Sequence, residues 1–158
     1  MQNITLNKTI QLSYPENFRI MSESEIAQLS VIGKGGEGTA LKSEDLHIII
    51  SMGWKSVGGF FSKLLSGNDL AATMESVFRK QMKPFGYAKT DNLTQQIAGE
   101  TAKGLRYTYQ AQGVDMTGES FVLKKGSTQY YLHVYYRTAL AEESREVWKS
   151  ILDSAKCE

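Results

Sequence analysis

The stretch between residues 105 and 136 most constrains how this chain can fold. It holds six of the eight tyrosines. In residues 105–112, apolar and aromatic side chains alternate with polar ones, which is the period of a β-strand. A second apolar segment follows at 116–125, and Gly126-Ser127 turns the chain into a third at 130–136. This half of the chain is therefore predicted to be an antiparallel meander with aromatic faces.

Shorter patterns predict the remaining strands. Residues 4–14 also alternate, which predicts one half-buried strand, although Asn7-Lys8 could instead form a hairpin turn. Residues 46–52 are apolar on both faces, as in a central strand that is covered on both sides.

Helix signals lie between and after these strands. Ser22 and Glu25 have the spacing of a capping box, which predicts a short helix at about 22–30. Ser56 could cap a brief helix that ends at Gly67, and Asn68 or Asp69 could cap the next, before Pro84. A helix at about 139–155 carries Trp148 on its apolar stripe, so Trp148 is expected to be buried.

The order of these elements predicts the fold class. Helices gather at the start, the middle and the end of the chain instead of alternating with every strand. This order favours an α+β fold with a largely antiparallel sheet and helices packed against it. A length of 158 residues and the absence of a linker predict a single globular domain, residues 1–158.

Composition excludes several classes of function. The chain has 18 basic and 17 acidic residues, so binding to nucleic acid through bulk charge is disfavoured. Cys157 is the only cysteine, which excludes an intrachain disulfide. No apolar run is long enough for a membrane-spanning helix. No secretory signal is visible, so a cytoplasmic location is predicted; an exported protein whose signal has been removed is the alternative.

The glycine-rich residues 33–38 match the pattern G-x-G-x-x-G of phosphate-binding loops. A protein kinase would also need catalytic and metal-binding motifs that are missing here, as well as a much longer chain. A dinucleotide-binding fold would need a helix after the glycines and an acidic residue about 20 positions later. We therefore predict a mobile connecting loop and no nucleotide cofactor.

Few residues suggest chemistry. His47 and His133 each stand alone in a predicted strand, without the partners that a zinc site needs. No catalytic residue, metal site or cofactor is predicted. A pocket near His47 and the 33–45 loop would instead indicate a small-molecule-binding protein or an unrecognised enzyme.

The predicted strand at 130–136 supplies the candidate binding residues. Its two faces are both rich in aromatic side chains, and one of them carries Tyr131, His133, Tyr135 and Arg137. Tyrosine and arginine are enriched in interface hot spots, so this face could bind a partner or ligand. The tyrosine hydroxyl needs a hydrogen-bond partner, which also suits a half-exposed surface. The alternative is a second core face covered by helices.

Four segments together resemble the PsbP-like superfamily, which includes the lumenal P subunit of photosystem II, a Ran nucleotide-release factor and many small bacterial proteins. The segments are residues 10–18, the helix before Pro84 with residues 93–99, the aromatic residues 129–132, and the terminal residues 148–154. The resemblance implies an α/β/α sandwich around an antiparallel sheet. The resemblance implies no shared enzymatic activity. Known members of the family mostly act by binding proteins, and this chain offers no catalytic motif to compare.

The preferred hypothesis is a non-enzymatic protein-binding or assembly module that uses the aromatic sheet surface and adjoining loops. Its partner is expected to be a protein of unknown identity.

Overall fold

A computed structural model describes residues 1–29, 37–56 and 66–158. Within these ranges the chain forms ten strands and three α-helices, together with short 3-10 turns at Lys83–Phe85 and Thr138–Leu140. In chain order the elements are β1 Gln2–Leu6, β2 Ile10–Tyr14, β3 Arg19–Ile20, α1 Glu23–Ala27, β4 Glu37–Ser43, β5 Ile48–Ser56, α2 Gly67–Gln81, β6 Ala88–Ile97, β7 Glu100–Ala111, β8 Val114–Lys125, β9 Thr128–Arg137, α3 Ala141–Asp153 and β10 Lys156–Cys157.

A seven-stranded sheet organises the molecule. Its strand order is β3-β4-β5-β9-β8-β7-β6, and each neighbouring pair is antiparallel. Strands β6 to β9 are consecutive in the chain, are joined by tight turns and form the predicted meander. Two of these turns are formed by Ala98-Gly99 and by Gln112-Gly113, and all four residues have positive φ. A two-residue turn of this geometry matches the twist of the strands that it connects. The meander is therefore confirmed, and it begins at residue 88 rather than near 93.

A smaller sheet of β1, β2 and β10 lies beside the large one. Asn7 and Lys8 have φ of 50° and 55° and join β1 to β2. Residues 4–14 are thus a hairpin, the alternative considered above, and not one strand. The C-terminus completes this sheet, since Cys157 pairs with Ile10.

The capping signals are confirmed, with two changes of boundary. The Ser22 hydroxyl accepts a hydrogen bond from the Glu25 amide, and the Ser22 amide donates to the Glu25 carboxylate, but α1 spans only five residues. α2 is capped by Ser66 rather than by Asn68 or Asp69. Asp69 is the third residue of this helix and completes a second capping box. The helix predicted after Ser56 lies mostly outside the described residues.

His47 lies in a turn and not in the predicted strand at 46–52. β5 begins at Ile48, and His47 has a φ of 55° and is exposed. The chain must reverse between β4 and β5, and the strand pattern at 48–52 gave no sign of where that turn would end.

Two hydrophobic cores cover the two faces of the large sheet. The α3 face packs against α3 and the small sheet, with Leu12, Trp148 and Ile151 among the buried residues. The α2 face packs against α2, which contributes Leu70, Met74 and Phe78. This layering is the α/β/α arrangement that the PsbP-like resemblance implied.

A close approach on the α2 face depends on one glycine. The ring of Tyr107 on β7 lies across Gly118 of β8, its partner in the register. A Cβ atom at position 118 would overlap the Tyr107 Cζ atom, closer than real Cβ atoms come to another atom. Tyr107 is itself fully buried, so it has no free space into which it could move.

Replacing Trp148 with alanine is expected to lower the free energy of unfolding by about 3–5 kcal/mol, because the indole is only 3% exposed and its removal leaves a cavity. Urea denaturation measures the change. Lys149→Ala, at the exposed neighbouring position, serves as the control and should change stability by no more than about 0.5 kcal/mol. Equal effects of the two substitutions would contradict the burial of Trp148.

Gly118→Ala is expected to destabilise the fold by about 1–3 kcal/mol, since the added methyl group overlaps the Tyr107 ring. The matched control is Gly53→Ala on β5, where the nearest atom to an added Cβ is a backbone oxygen at 3.4 Å. Thermal unfolding of the two variants compares them directly. A G118A protein as stable as G53A would show that Tyr107 does not lie across this glycine.

Candidate binding surface

The four predicted binding residues do not form one open surface. They alternate along β9 toward the α2 face, where His133 is 4% exposed and Tyr135 is 8% exposed. Tyr131 is half-buried, and Arg137 is exposed at the end of the strand. For His133 and Tyr135 the structure therefore shows the alternative considered above, a second core face covered by a helix. A binding role for the four residues stays a prediction.

His133 is held by packing and by one hydrogen-bonding partner. Its Nδ1 atom lies 2.7 Å from the Ser120 hydroxyl on β8. Phe78 of α2 packs edge-on against the imidazole, with the ring centroids 5.7 Å apart, and Tyr135 stacks on it at 6.2 Å. Burial lowers the pKa of His133 to about 4, because the charged imidazolium would lose its hydration. At neutral pH this histidine is therefore uncharged.

The hydroxyls around His133 belong to the same enclosed environment. Tyr107 lies 3.3 Å from the Ser120 hydroxyl, and burial raises the pKa of the Tyr107 phenol above its usual value. The Ser51 hydroxyl is buried without a hydrogen-bond partner among the described residues. Ser120 and His133 have the spacing of a nucleophile and base, but both are buried beneath α2, away from an external substrate.

The α3 face contains a charged cluster that sequence reasoning missed. Glu119 is buried in the middle of β8, where its carboxylate accepts a hydrogen bond of 2.6 Å from Tyr136. Arg106 and Arg145 approach the same carboxylate at 3.4 and 3.8 Å, and Arg106 also pairs with Asp91 at 3.0 Å. The available signal was the position of Glu119 within a strand that is otherwise uncharged between residues 116 and 123.

This cluster joins elements that are distant in the chain. Arg106 lies on β7, Glu119 on β8 and Tyr136 on β9, while Arg145 of α3 donates a hydrogen bond of 2.9 Å to the Tyr136 hydroxyl. Burial raises the pKa of Tyr136 to about 12, so the phenol stays protonated and donates to Glu119. Through Arg145, the cluster links α3 to three strands of the sheet.

Tyr131 and Arg137 keep accessible area, but at opposite ends of β9. Six residues of strand separate them by about 20 Å. The Tyr131 hydroxyl donates to Gln129 at 2.5 Å, and the Lys55 ammonium lies 5.7 Å from the Tyr131 ring centroid. Any partner that contacts both residues must therefore extend about 20 Å along β9.

A groove of about 350 Å³ lies between the N-terminal half of α2 and strands β6 and β7. Small side chains leave this space open, and polar groups line it. Lys103 forms no ion pair with a described residue, whereas Glu75 is paired with Arg79 and Lys89. The lining consists of Asn68, Ala71, Ala72, Glu75, Asn92, Leu93, Thr94, Lys103, Gly104 and Leu105. Sequence reasoning missed this groove because its residues come from three separate elements.

The other predicted features lie elsewhere. Residues 33–36 of the glycine-rich stretch are outside the described residues, and Glu37 and Gly38 begin β4. Across residues 1–29, 37–56 and 66–158, no three His, Cys, Asp or Glu side chains are grouped so that they could hold a metal ion. None of the described helices is both long and apolar enough to cross a membrane.

Comparison with known proteins finds similarity in structure and not in sequence. No family model matches the chain, and neither does any curated protein. The solution structure of cyanobacterial PsbP (CyanoP) from Synechocystis superimposes with a TM-score of 0.73 at 8% identity, covering 99% of this chain and 92% of that one.

Two further structures resemble this chain less closely than CyanoP does. LpqN, involved in cell envelope biogenesis of Mycobacterium tuberculosis, has a TM-score of 0.53 and 15% identity, covering 94% of this chain and 82% of its own. A Pseudomonas aeruginosa protein of unknown function has a TM-score of 0.54 and 14% identity, with 94% and 91% covered. At such identities the shared feature is the fold, and the chain has the PsbP-like fold.

Proposed function

We propose that this protein is a non-enzymatic module that binds a protein partner, and that it does so through the groove between α2 and the β6–β7 hairpin. The observation that carries the proposal is the position of this groove beside β6. This ten-residue strand ends the seven-stranded sheet, and no described strand pairs with its outer edge.

The edge of β6 offers main-chain groups to a partner. An extended segment placed against such an edge gains backbone hydrogen bonds, and neighbouring pockets give it specificity. Asn92 and Thr94 are exposed on β6 and also line the groove, so a bound segment would reach both. Ala71 and Ala72 on α2 leave room for the side chains of that segment.

The enclosed state of the Ser120–His133 pair favours binding over catalysis. A catalytic histidine needs access to substrate and a pKa near the working pH. His133 has neither, because it is buried against Phe78 and its pKa is about 4. In this proposal, the pair stabilises the packing of α2 on the sheet.

Names of the structural neighbours are compatible with an accessory role. One neighbour is a cyanobacterial PsbP and another is involved in cell envelope biogenesis. Tyr131 and Arg137 remain candidate contacts for a partner that extends across β9. A cytoplasmic location stays a prediction from the sequence.

The stability of the protein is expected to fall by about 2 kcal/mol between pH 7 and pH 5 because of His133 alone. Its pKa is about 4 when folded, against 6.5 in the unfolded chain, so between these values only the unfolded chain takes up the proton. The free energy of unfolding therefore decreases as the pH falls through this window. Urea denaturation at both pH values measures the decrease.

His133→Gln is the control for this measurement, because glutamine can hydrogen-bond to Ser120 but does not titrate. The variant should lose about 2 kcal/mol less than the wild type over the same pH interval. If both proteins lose the same stability, His133 is not buried in the neutral form and the premise of a closed, structural pair is wrong.

The binding proposal is tested at Ala72, which is exposed and lines the groove. Arginine is nearly as favourable as alanine in a helix, so Ala72→Arg should fill the groove without unfolding α2. Wild-type protein is used to capture partners from an extract of the source organism. The recovery of a partner that binds in the groove should fall at least about tenfold with A72R, which corresponds to a loss of about 1.4 kcal/mol in binding free energy. Quantitative mass spectrometry measures the recovery.

Ser150→Arg provides the matched control, because it adds the same side chain at an exposed position of α3 on the opposite side of the sheet. A photoreactive phenylalanine analogue at Thr94, with the same analogue at Ser150 as its control, reports contact directly. Crosslinks at position 94 and not at 150 are expected. A partner lost equally with A72R and S150R, or crosslinked only at position 150, would place binding outside the groove.

A further inference from the structure

An exposed apolar tip lies between α2 and β6, away from the groove. The 3-10 turn at Lys83–Phe85 connects these elements, and Gly86 with a φ of 74° then reverses the chain. Phe85 is 52% exposed at this turn, and Val77 on the preceding helix is 42% exposed. Exposed large apolar side chains at the end of a helix and on the turn that follows it are candidates for contact with another surface.

The turn that carries Phe85 has a defined shape. The Phe85 amide donates to the Met82 carbonyl at 2.9 Å, and the Gly86 amide donates to the Lys83 carbonyl at 3.2 Å. Pro84 further restricts the backbone within the turn. The aromatic side chain is therefore presented by an ordered connection, which reduces the entropy lost on binding.

Positive charge is concentrated around the same tip. Four of the 18 basic residues lie within residues 79–89, and none of the 17 acidic residues does. Arg79 and Lys89 are paired with Glu75 at 3.4 and 3.2 Å. Lys80 and Lys83 are exposed and form no ion pair with a described residue. A chain with a net charge of only +1 thus has a local surface that is strongly basic.

We propose that this basic corner, formed by Val77, Lys80, Lys83, Pro84 and Phe85, docks the protein on a membrane surface rich in anionic lipids. Aromatic and aliphatic side chains enter the boundary between headgroups and acyl chains, while nearby lysines contact the lipid phosphates. An acidic protein could satisfy the lysines, but it would also have to place an apolar patch opposite Phe85 and Val77, whereas an anionic lipid surface offers phosphates and an apolar boundary at every point. The combination of an exposed aromatic tip with flanking unpaired cations therefore favours lipid.

The basic corner and the groove are separate surfaces on α2. The groove uses residues 68–75 of the helix, whereas the corner begins at Val77. Membrane docking therefore goes beyond the proposed binding of a protein partner, and the two proposals can fail independently.

Sedimentation with lipid vesicles tests the proposal. Wild-type protein should bind vesicles of phosphatidylcholine with about 30% phosphatidylglycerol, bind pure phosphatidylcholine far more weakly, and dissociate as salt is raised. Each lysine near an anionic surface contributes about fivefold in affinity, so Lys80→Gln with Lys83→Gln should weaken binding about 25-fold. Phe85→Ser should weaken it about tenfold, since the aromatic contact is lost.

Matched variants separate local docking from general charge and hydrophobicity. Lys8→Gln with Lys156→Gln removes two exposed lysines from the small sheet, and Ile20→Ser removes an apolar side chain that is 53% exposed on β3. Both should bind vesicles within about twofold of the wild type. Ala72→Arg should also bind normally, because it alters only the groove.

Tryptophan at the tip gives a second measurement. Phe85→Trp should show a blue shift in fluorescence on anionic vesicles, and Ile20→Trp should not, because only the first indole enters the lipid interface.

Three results would overturn the proposal: no preference for anionic vesicles, equal weakening by the K8Q/K156Q control, or no blue shift at position 85. If vesicles are not bound but a captured protein depends on Lys80 and Lys83, the corner contacts an acidic protein instead.

Discussion

The packing of α2 against the tyrosine-bearing face is the interaction on which the rest of the structure depends. Phe78 contacts both Tyr107 and His133, with ring centroids 5.2 and 5.7 Å apart. Tyr107 in turn occupies the space left by the missing side chain of Gly118. Because these contacts close the aromatic face around His133 and Tyr135, we propose recognition at the groove beside β6 and at the exposed tip at the end of α2, with Tyr131 and Arg137 as further candidate contacts.

The opposite face is fixed by a different kind of interaction. Glu119 is buried and paired with Tyr136 and two arginines, one of which comes from α3. Because Glu119 has three partners, removing any one of them leaves the carboxylate partly compensated, and the cost stays below the about 3–5 kcal/mol that is typical of a buried charge left unpaired. Hydrophobic packing of Trp148 and this polar cluster therefore act together to position α3, whereas α2 is held mainly by aromatic and aliphatic contacts.

Local patterns predicted the parts of the fold that local energetics control. Alternation with a period of two located the meander, and the spacing of Ser22 and Glu25 located a helix start, because both signals involve residues close in the chain. The prediction that His47 lies in a strand was wrong because local patterns carry no information about distant neighbours. An apolar run shows that a strand is buried but not where the chain must turn to join its neighbour. The groove was not predictable either, since α2, β6 and β7 meet only in the folded chain.

The sequence by itself determined which side chains share a face. Tyr131, His133 and Tyr135 had to lie on one side of β9, because successive residues of a strand point in opposite directions. That α2 covers His133 and Tyr135, while Tyr131 keeps partial exposure, follows from the packing of the folded chain. The physical reason is that strand periodicity is a property of neighbouring residues. Burial depends on which distant helix packs against the face, and that follows from the free energy of the whole fold.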